Sequence, residues 1–356
     1  MAKKLMKGNE AIGEAALKAG CRNFFAYPIT PQNEVAEYLS RRMPEVGGTF
    51  LQAESELGAS NMVFGAAATG ELAFTTSSSP GISLMSEALS YIAGAQLPAV
   101  FVNIVRGGPG LGGILPAQSD YFQATKGGGH GDYRLLVLAP ATIQEAVDLV
   151  MLSFRLAVKY RNPVMVMGDG LIGQMMEPVE FGEPAPVEHA VPKEKWASIG
   201  VGGTGRKRNI VRSLFLDPDE LERNNREIAA KYVRWHAEEI RCATHCCDGE
   251  LDLLVVAYGT MSRVCQTTVD ELRAKGMRIG LFRPISLFPF PSKQVAELAG
   301  RAGKVLCVEL SMGQMVEDVR AAVGPQRPIH FFGRTGGVVP SPDDVAEQIK
   351  KLATSH

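Results

Sequence analysis

Two carboxylates stand where an apolar strand hands over to a helix: Glu54 and Glu56, in the run Gln52-Ala53-Glu54-Ser55-Glu56-Leu57-Gly58-Ala59. Burial at such a junction raises a carboxyl pKa toward neutrality, so that the group can share or pass a proton. If the segment is still extended there, both acids face one side; if the helix has begun they diverge, and only one enters the crevice. The structural alternative is an acid pair in a first helical turn, favoured by the helix dipole. A second strand end, Tyr27-Pro28-Ile29-Thr30-Pro31, turns sharply into a helix, with Thr30 as its expected N-cap and Pro31 in the first turn. A third candidate is Arg106, which ends an apolar strand and opens the run Gly107-Gly108-Pro109-Gly110-Leu111-Gly112-Gly113. A guanidinium beside so little side-chain bulk can take a carboxylate or phosphate bidentately; its plainer reading is an ion pair with a neighbouring acid.

These groups must be held by a sheet. Apolar strands are expected over 21–27, 49–53, 72–76, 99–105, 135–138 and 164–167, separated by helices over 9–20, 32–42, 56–69, 82–95 and 142–160. Strands of that kind between amphipathic helices mean α/β architecture with a parallel sheet covered on both faces, whose strand ends share one crevice. From about Glu177 the alternation stops, in a stretch with Pro178, Pro184, Pro186, Pro192 and the run Gly200-Val201-Gly202-Gly203-Thr204-Gly205; Asp217-Pro218 then starts a long polar helix. Alternation resumes at Leu251, with strands near 253–257, 279–282, 305–308 and 329–332. The expected division is 1–185, an irregular linker 186–250 with one long helix, and a smaller α/β domain 251–356.

Composition bounds the function. A chain of 356 residues, 46% hydrophobic and 21% charged, has the make-up of a globular protein with two or three cores. A formal net charge of -1 gives no footprint for nucleic acid, and no apolar run is long enough to span a bilayer. The start Met1-Ala2-Lys3-Lys4-Leu5 does not resemble a signal peptide, so a cytoplasmic location is expected. Six cysteines are too sparse for a disulfide framework. Cys242, Cys246 and Cys247 around His245 lack the spacing of a ferredoxin segment, and a metal site there is an open alternative to ordinary side chains.

Gly108, Gly110 and Gly113 formally spell G-x-G-x-x-G after a strand, yet this is no dinucleotide fingerprint. Pro109 interrupts it, Ile114-Leu115-Pro116 follows where a helix should start, and no second strand with a terminal acid lies about 20 residues on.

Five motifs in order resemble the α subunits of 2-oxoacid:ferredoxin oxidoreductases: Tyr27-Pro28-Ile29-Thr30-Pro31, Glu54-Ser55-Glu56, Ser77-Ser78-Ser79-Pro80-Gly81-Ile82-Ser83-Leu84-Met85, Val105-Arg106-Gly107-Gly108-Pro109-Gly110 and Gly127-Gly128-Gly129-His130-Gly131-Asp132-Tyr133. Arg283-Pro284-Ile285-Ser286-Leu287-Phe288-Pro289-Phe290-Pro291 and Met312-Gly313-Gln314-Met315-Val316-Glu317-Asp318 resemble the family's second domain. Within the family the chain is similar to the separate-chain type acting on 2-oxoisovalerate (3-methyl-2-oxobutanoate). The resemblance implies a thiamine-diphosphate pyrimidine-binding domain followed by a transketolase C-terminal-like domain.

By motif position, Glu56 is then the glutamate that hydrogen-bonds N1′ of the cofactor's aminopyrimidine, with Glu54 as runner-up. Tyr27 and Pro28 are further cofactor contacts, and Thr30 and Arg106 contact the 2-oxoacid carboxylate. His130 and Asp132 are expected near the same crevice without a role. Gly168-Asp169-Gly170 starts like the magnesium and pyrophosphate motif of thiamine-diphosphate enzymes, but the stretch Pro192-Lys193-Glu194-Lys195-Trp196 offers no Asn to complete it. No metal ligand is therefore assigned in this chain. Magnesium is expected on a β subunit that shares the cofactor, and iron-sulfur clusters on partner subunits, which include a γ subunit and an iron-sulfur ferredoxin-like δ subunit. The implied reaction is oxidative decarboxylation of a 2-oxoacid to an acyl-CoA, with coenzyme A as co-substrate and ferredoxin as electron acceptor. The branched substrate is preferred over 2-oxoglutarate or pyruvate; a non-redox thiamine-dependent enzyme and a non-catalytic scaffold are the other classes considered.

Overall fold

A computed structural model describes residues 3–183, 187, 189, 191–201 and 205–354. Pro184, Pro186 and the Gly202, Gly203 and Thr204 part of the glycine run lie outside them. The strands in chain order are β1 (Lys4–Lys7), β2 (Asn23–Ala26), β3 (Thr49–Gln52), β4 (Ala73–Ser77), β5 (Ala99–Val105), β6 (Leu136–Leu138), β7 (Pro163–Asp169), β8 (Met176–Val179), β9 (Cys242–His245), β10 (Leu251–Val256), β11 (Ile279–Pro284), β12 (Ser286–Phe288), β13 (Ala302–Glu309) and β14 (Ile329–Gly333).

Seven of them form one sheet in the order β12-β6-β7-β5-β4-β2-β3, parallel throughout except for β12, which runs antiparallel to β6. Successive residues of its strands enter opposite cores. Phe24, Phe74, Val100, Val102 and Val164 pack on one face, while Phe25, Ala73, Phe101 and Met165 pack on the other. That burial on both faces is what near-continuous apolar strands require.

The second sheet has the order β14-β13-β10-β11-β9, parallel except for the edge strand β9. Its inner face, with Leu254, Val256, Phe282 and Val305, belongs to the same apolar cluster as Phe25 and Phe101 of the first sheet. The two sheets are thus cemented by one core, and they exchange chain at β12, which lies between β11 and β13 in sequence but edges the first sheet.

The long helix Pro218–Glu238 is polar on average, but it buries Trp235 fully, against Tyr160 (5.8 Å between ring centroids), Tyr232 (4.8 Å) and Phe288 (6.4 Å). One aromatic anchor of that size outweighs the helix's solvated face in fixing where it lies. A small antiparallel ladder, β1 with β8, closes the first domain's amino-terminal segment onto the strand that leaves it. Among the described residues no helix is long and apolar enough to cross a membrane.

Candidate functional site

The carboxyl ends of β2, β3, β4 and β5 are neighbours, so the segments that follow them meet. After β3, Ser55 is extended and its Oγ accepts the Gly58 N–H at 3.1 Å, so Glu56 is the first residue of the helix Glu56–Ala68. The two acids therefore diverge. Glu54 is exposed, its carboxylate lying where a Cβ on Gly58 would come within 2.4 Å of Oε1. Glu56 turns inward and is 6% exposed.

The inward side chain lies over the start of the helix Pro80–Gly94. A Cβ on Gly81 would come within 2.7 Å of Glu56 Oε1 and 2.0 Å of Ser77 Oγ, so only glycine lets this helix start pack against both groups. Among the described residues no hydrogen bond or ion pair reaches the Glu56 carboxylate. Around it, Ser77 Oγ and Ser78 Oγ are buried without partners, as is Thr75 Oγ1 further down β4. A buried polar group left unpaired costs about 1–3 kcal/mol, and several at one strand end leave hydrogen-bonding capacity that a ligand can use.

The second wall is built on Ser79 and Arg106. Ser79 is a non-glycine residue at φ +24°, a conformation sustained by its surroundings. Its N–H donates to Asn103 Oδ1 at 3.1 Å, its Oγ accepts the Arg106 N–H at 3.1 Å, and the same hydroxyl lies 3.3 Å from the Arg106 carbonyl. Asn103 also donates to Asp120 at 2.9 Å. Burial pushes the Asp120 carboxyl up, against hydrogen bonds from Asn103 and Ser79 that pull it down.

Arg106 is 8% exposed, and its guanidinium donates to the Thr30 carbonyl at 2.8 Å while its Nε is buried without a partner. Thr30 and Arg106 are thereby brought together. Thr30 is not the N-cap expected of it. The Gln32 N–H bonds to the Ile29 carbonyl at 3.1 Å, and the Pro31 carbonyl is taken by Asn9 (2.8 Å) and Gln174 (2.9 Å). Those bonds hold residues 29–32 in a turn, so the helix is Asn33–Glu45 with Gln32 before it. Thr30 Oγ1 accepts only a long 3.4 Å contact from Asn33. Tyr27 is exposed and Pro28 half-buried at the mouth of the same turn.

Between this wall and the second domain lies a cleft of about 740 Å³, lined by Ser79, Gly108, Leu111, Asp120, Met312 and Gln314 among others. No lysine or arginine is among its described lining residues. Leu111 and Met312 stand at its rim 83% and 79% exposed.

Other candidates fall elsewhere. His130 packs edge-on against Tyr91 at 5.8 Å. Tyr91 is eleven residues along the helix from Pro80, roughly 16 Å at 1.5 Å per residue. His130 and Asp132 are exposed there rather than in the crevice, contrary to expectation. Asp169 is buried and caps the short helix Gly170–Gln174 through the N–H groups of Leu171 (2.9 Å) and Ile172 (3.2 Å). The hydroxyls of Ser77 and Ser78 and the Asn103–Asp120 pair were not assigned from sequence. Three serines before Pro80-Gly81 are a visible signal of a strand turning into a helix; Asp120 sits in no motif.

The sequence pattern of the family described as "Pyruvate flavodoxin/ferredoxin oxidoreductase, thiamine diP-bdg" matches residues 14–204, and that of "Pyruvate:ferredoxin oxidoreductase core domain II" matches residues 252–345. The chain is 49% identical over 353 residues to the "Ketoisovalerate oxidoreductase subunit VorB" of Methanothermobacter thermautotrophicus, spanning 99% of each. It is 34% identical over 370 residues to the "2-oxoglutarate synthase subunit KorA" of the same organism, spanning 98% of each. Among solved structures, a 2-oxoglutarate:ferredoxin oxidoreductase from Magnetococcus marinus, with 2-oxoglutarate, coenzyme A and succinyl-CoA bound, matches with a TM-score of 0.90 at 26% identity, over 99% of this chain and 66% of that one.

Proposed function

The chain belongs to the 2-oxoacid:ferredoxin oxidoreductase family, and from that premise we propose that it is the α subunit of an enzyme converting 2-oxoisovalerate to its acyl-CoA, with electrons delivered to ferredoxin. The observation that carries the reading is Glu56: a buried carboxylate without a partner among the described residues, beside unpartnered Ser77 and Ser78, against a helix start where only glycine fits. These residues fit the aminopyrimidine of thiamine diphosphate, whose ring nitrogens and amino group need one acid and a few hydroxyls in a dry pocket. Glu56 holds the proton at N1′ of that ring. Bound there, the cofactor supplies the electron sink for decarboxylation.

Arg106 and Thr30 take the substrate's carboxylate, and Tyr27 and Pro28 border the cofactor. Arg106 is suited to this because its Nε remains unpartnered while another nitrogen of the fork is anchored on Thr30. Ser79, Asn103 and Asp120 hold the Arg106 backbone in place. The 49% identity to a ketoisovalerate oxidoreductase subunit, against 34% to a 2-oxoglutarate synthase subunit, supports the branched substrate.

The crevice is half of an active site. We assign the pyrophosphate and its magnesium to a β subunit and the iron-sulfur clusters to partner subunits of a cytoplasmic complex that also holds a γ subunit and an iron-sulfur ferredoxin-like δ subunit. The exposed Leu111 and Met312 at the rim are the kind of apolar surface another chain covers. We read 1–185 and 251–356 as the two domains, with 186–250 joining them and giving its strand β9 to the second sheet, as β12 is given to the first.

The test is reduction of a low-potential viologen by the reconstituted complex against a panel of 2-oxoacids. Turnover that needs both coenzyme A and a 2-oxoacid, with kcat/KM highest for 2-oxoisovalerate, is expected. A preference for 2-oxoglutarate or pyruvate overturns the substrate alone; dye reduction with no 2-oxoacid, or without coenzyme A, overturns the reaction.

A further inference from the structure

A second cluster of chemically active side chains lies on the second domain, apart from the crevice. His245 is the last residue of the edge strand β9 and Cys246 follows it, while Asp270 belongs to the helix Gly259–Arg273 that packs on β11. His245 Nε2 and Asp270 Oδ1 are 2.5 Å apart. One ligand atom from each of His245, Cys246 and Asp270, a nitrogen, a sulfur and an oxygen, lies within 4.8 Å of the other two. Tetrahedral zinc with bonds of about 2.0–2.3 Å sets its ligand atoms about 3.3–3.8 Å apart, so small side-chain rotations bring the three onto one ion.

Three further features favour an ion here over a bare histidine–aspartate pair. Cys246 is a non-glycine residue at φ +56°, and in that conformation its Sγ lies within 4.8 Å of the His245 and Asp270 ligand atoms. Its backbone is pinned in that turn by Arg273, whose guanidinium donates to the Cys246 carbonyl at 3.1 Å and to the Ile279 carbonyl at 2.8 Å. The Cys246 thiol itself makes no hydrogen bond among the described residues. A thiolate, a carboxylate and a neutral imidazole also balance the charge of a divalent cation.

The neighbouring cysteines are excluded by geometry. Cys247 is buried and donates to the Leu281 carbonyl at 3.3 Å, and Cys242 starts β9, roughly 13 Å away along the strand.

We propose that His245, Cys246 and Asp270 form a zinc site, with water as the fourth ligand, that clips the unprotected edge strand β9 to the helix beside it. The strand follows directly on the Pro218–Glu238 helix, so the clip fastens the point where the chain enters the second sheet.

The test uses the assembled enzyme, stripped with a chelator, given one equivalent of zinc chloride per copy of this chain, desalted and analysed for metal. The difference between wild type and Cys246→Ser reads the site, because clusters and cofactor elsewhere are common to both. Wild type should retain one zinc per copy more than Cys246→Ser and His245→Ala, whose retention at this site falls at least about tenfold, while Cys242→Ser should match wild type. Equal zinc in wild type and Cys246→Ser, or the same loss in Cys242→Ser, overturns the assignment.

Discussion

Two buried glutamates at sheet ends differ in one respect. Glu309, at the end of β13, is fully buried, and its carboxylate accepts the N–H groups of Gln314 (3.1 Å), Met315 (2.9 Å) and Val316 (2.9 Å) and the hydroxyl of Ser311 (2.9 Å). It closes the start of the helix Met315–Val323, with both carboxylate oxygens engaged inside the chain. Glu56, nearly as buried, accepts from nothing among the described residues. Arginines repeat the contrast. Arg283 is spent on a bidentate pair with Glu145 at 2.7 and 2.6 Å, whereas Arg106 keeps its Nε free. Glu309 and Arg283 are spent within the chain, whereas Glu56 and Arg106 keep capacity that a ligand can take up.

If that contrast is sound, the two glutamates must fail differently. Glu56→Gln should lower turnover of the assembled complex by about 10²–10⁴-fold, the range for losing a positioned acid or base, while the thermal midpoint stays level or rises. Full activity removes Glu56 from the mechanism. Glu309→Ala leaves three N–H groups and a hydroxyl without an acceptor and should destabilise the chain by about 3 kcal/mol in denaturant unfolding. A loss below about 0.5 kcal/mol makes the two glutamates equivalent and breaks the comparison.

A smaller effect is expected at Arg106. Arg106→Lys keeps charge but loses the fork, and should raise the KM for the 2-oxoacid by about tenfold with kcat less affected, the loss of one charge-assisted hydrogen bond. An unchanged KM excludes the carboxylate clamp.

The smallest effect is in pH. Burial holds the Asp120 carboxyl above its ordinary range, so the folded chain keeps a proton that the unfolded chain has already released. Stability therefore falls as pH rises from the ordinary aspartate range through the folded pKa, and is level beyond it. The thermal midpoint of Asp120→Asn should gain on wild type across that window; a gap independent of pH contradicts the burial cause.

Periodicity made the parallel strands readable, since each is a short apolar run between helices. What it could not show was pairing across the chain. Ser286–Phe288 is three residues in a proline-rich stretch, and only the fold reveals that it edges the first sheet. Trp235 was hidden likewise, in a helix whose polar average masks one aromatic that decides its docking.

At the candidate site, residue types and order pointed to Glu56, Thr30 and Arg106, of which the structure joins Arg106 to Thr30, but the spacing of Glu54 and Glu56 left their directions open. Ser55 resolves it by capping the helix one residue before Glu56. Thr30 shows the opposite lesson: its type suits an N-cap, but the bonds from Asn9 and Gln174 to the Pro31 carbonyl are tertiary and move the helix start to Asn33. The unpartnered state of Ser77 and Ser78 depends on packing that no local pattern records.

The central claim, that Glu56 is left unpaired in order to hold the proton on the cofactor's pyrimidine, is tested most directly by the rate at which the C2 proton of bound thiamine diphosphate exchanges with deuterium. In the cofactor-loaded complex, Glu56→Gln should slow that exchange by at least about 10²-fold relative to wild type. Equal rates in the two would contradict it.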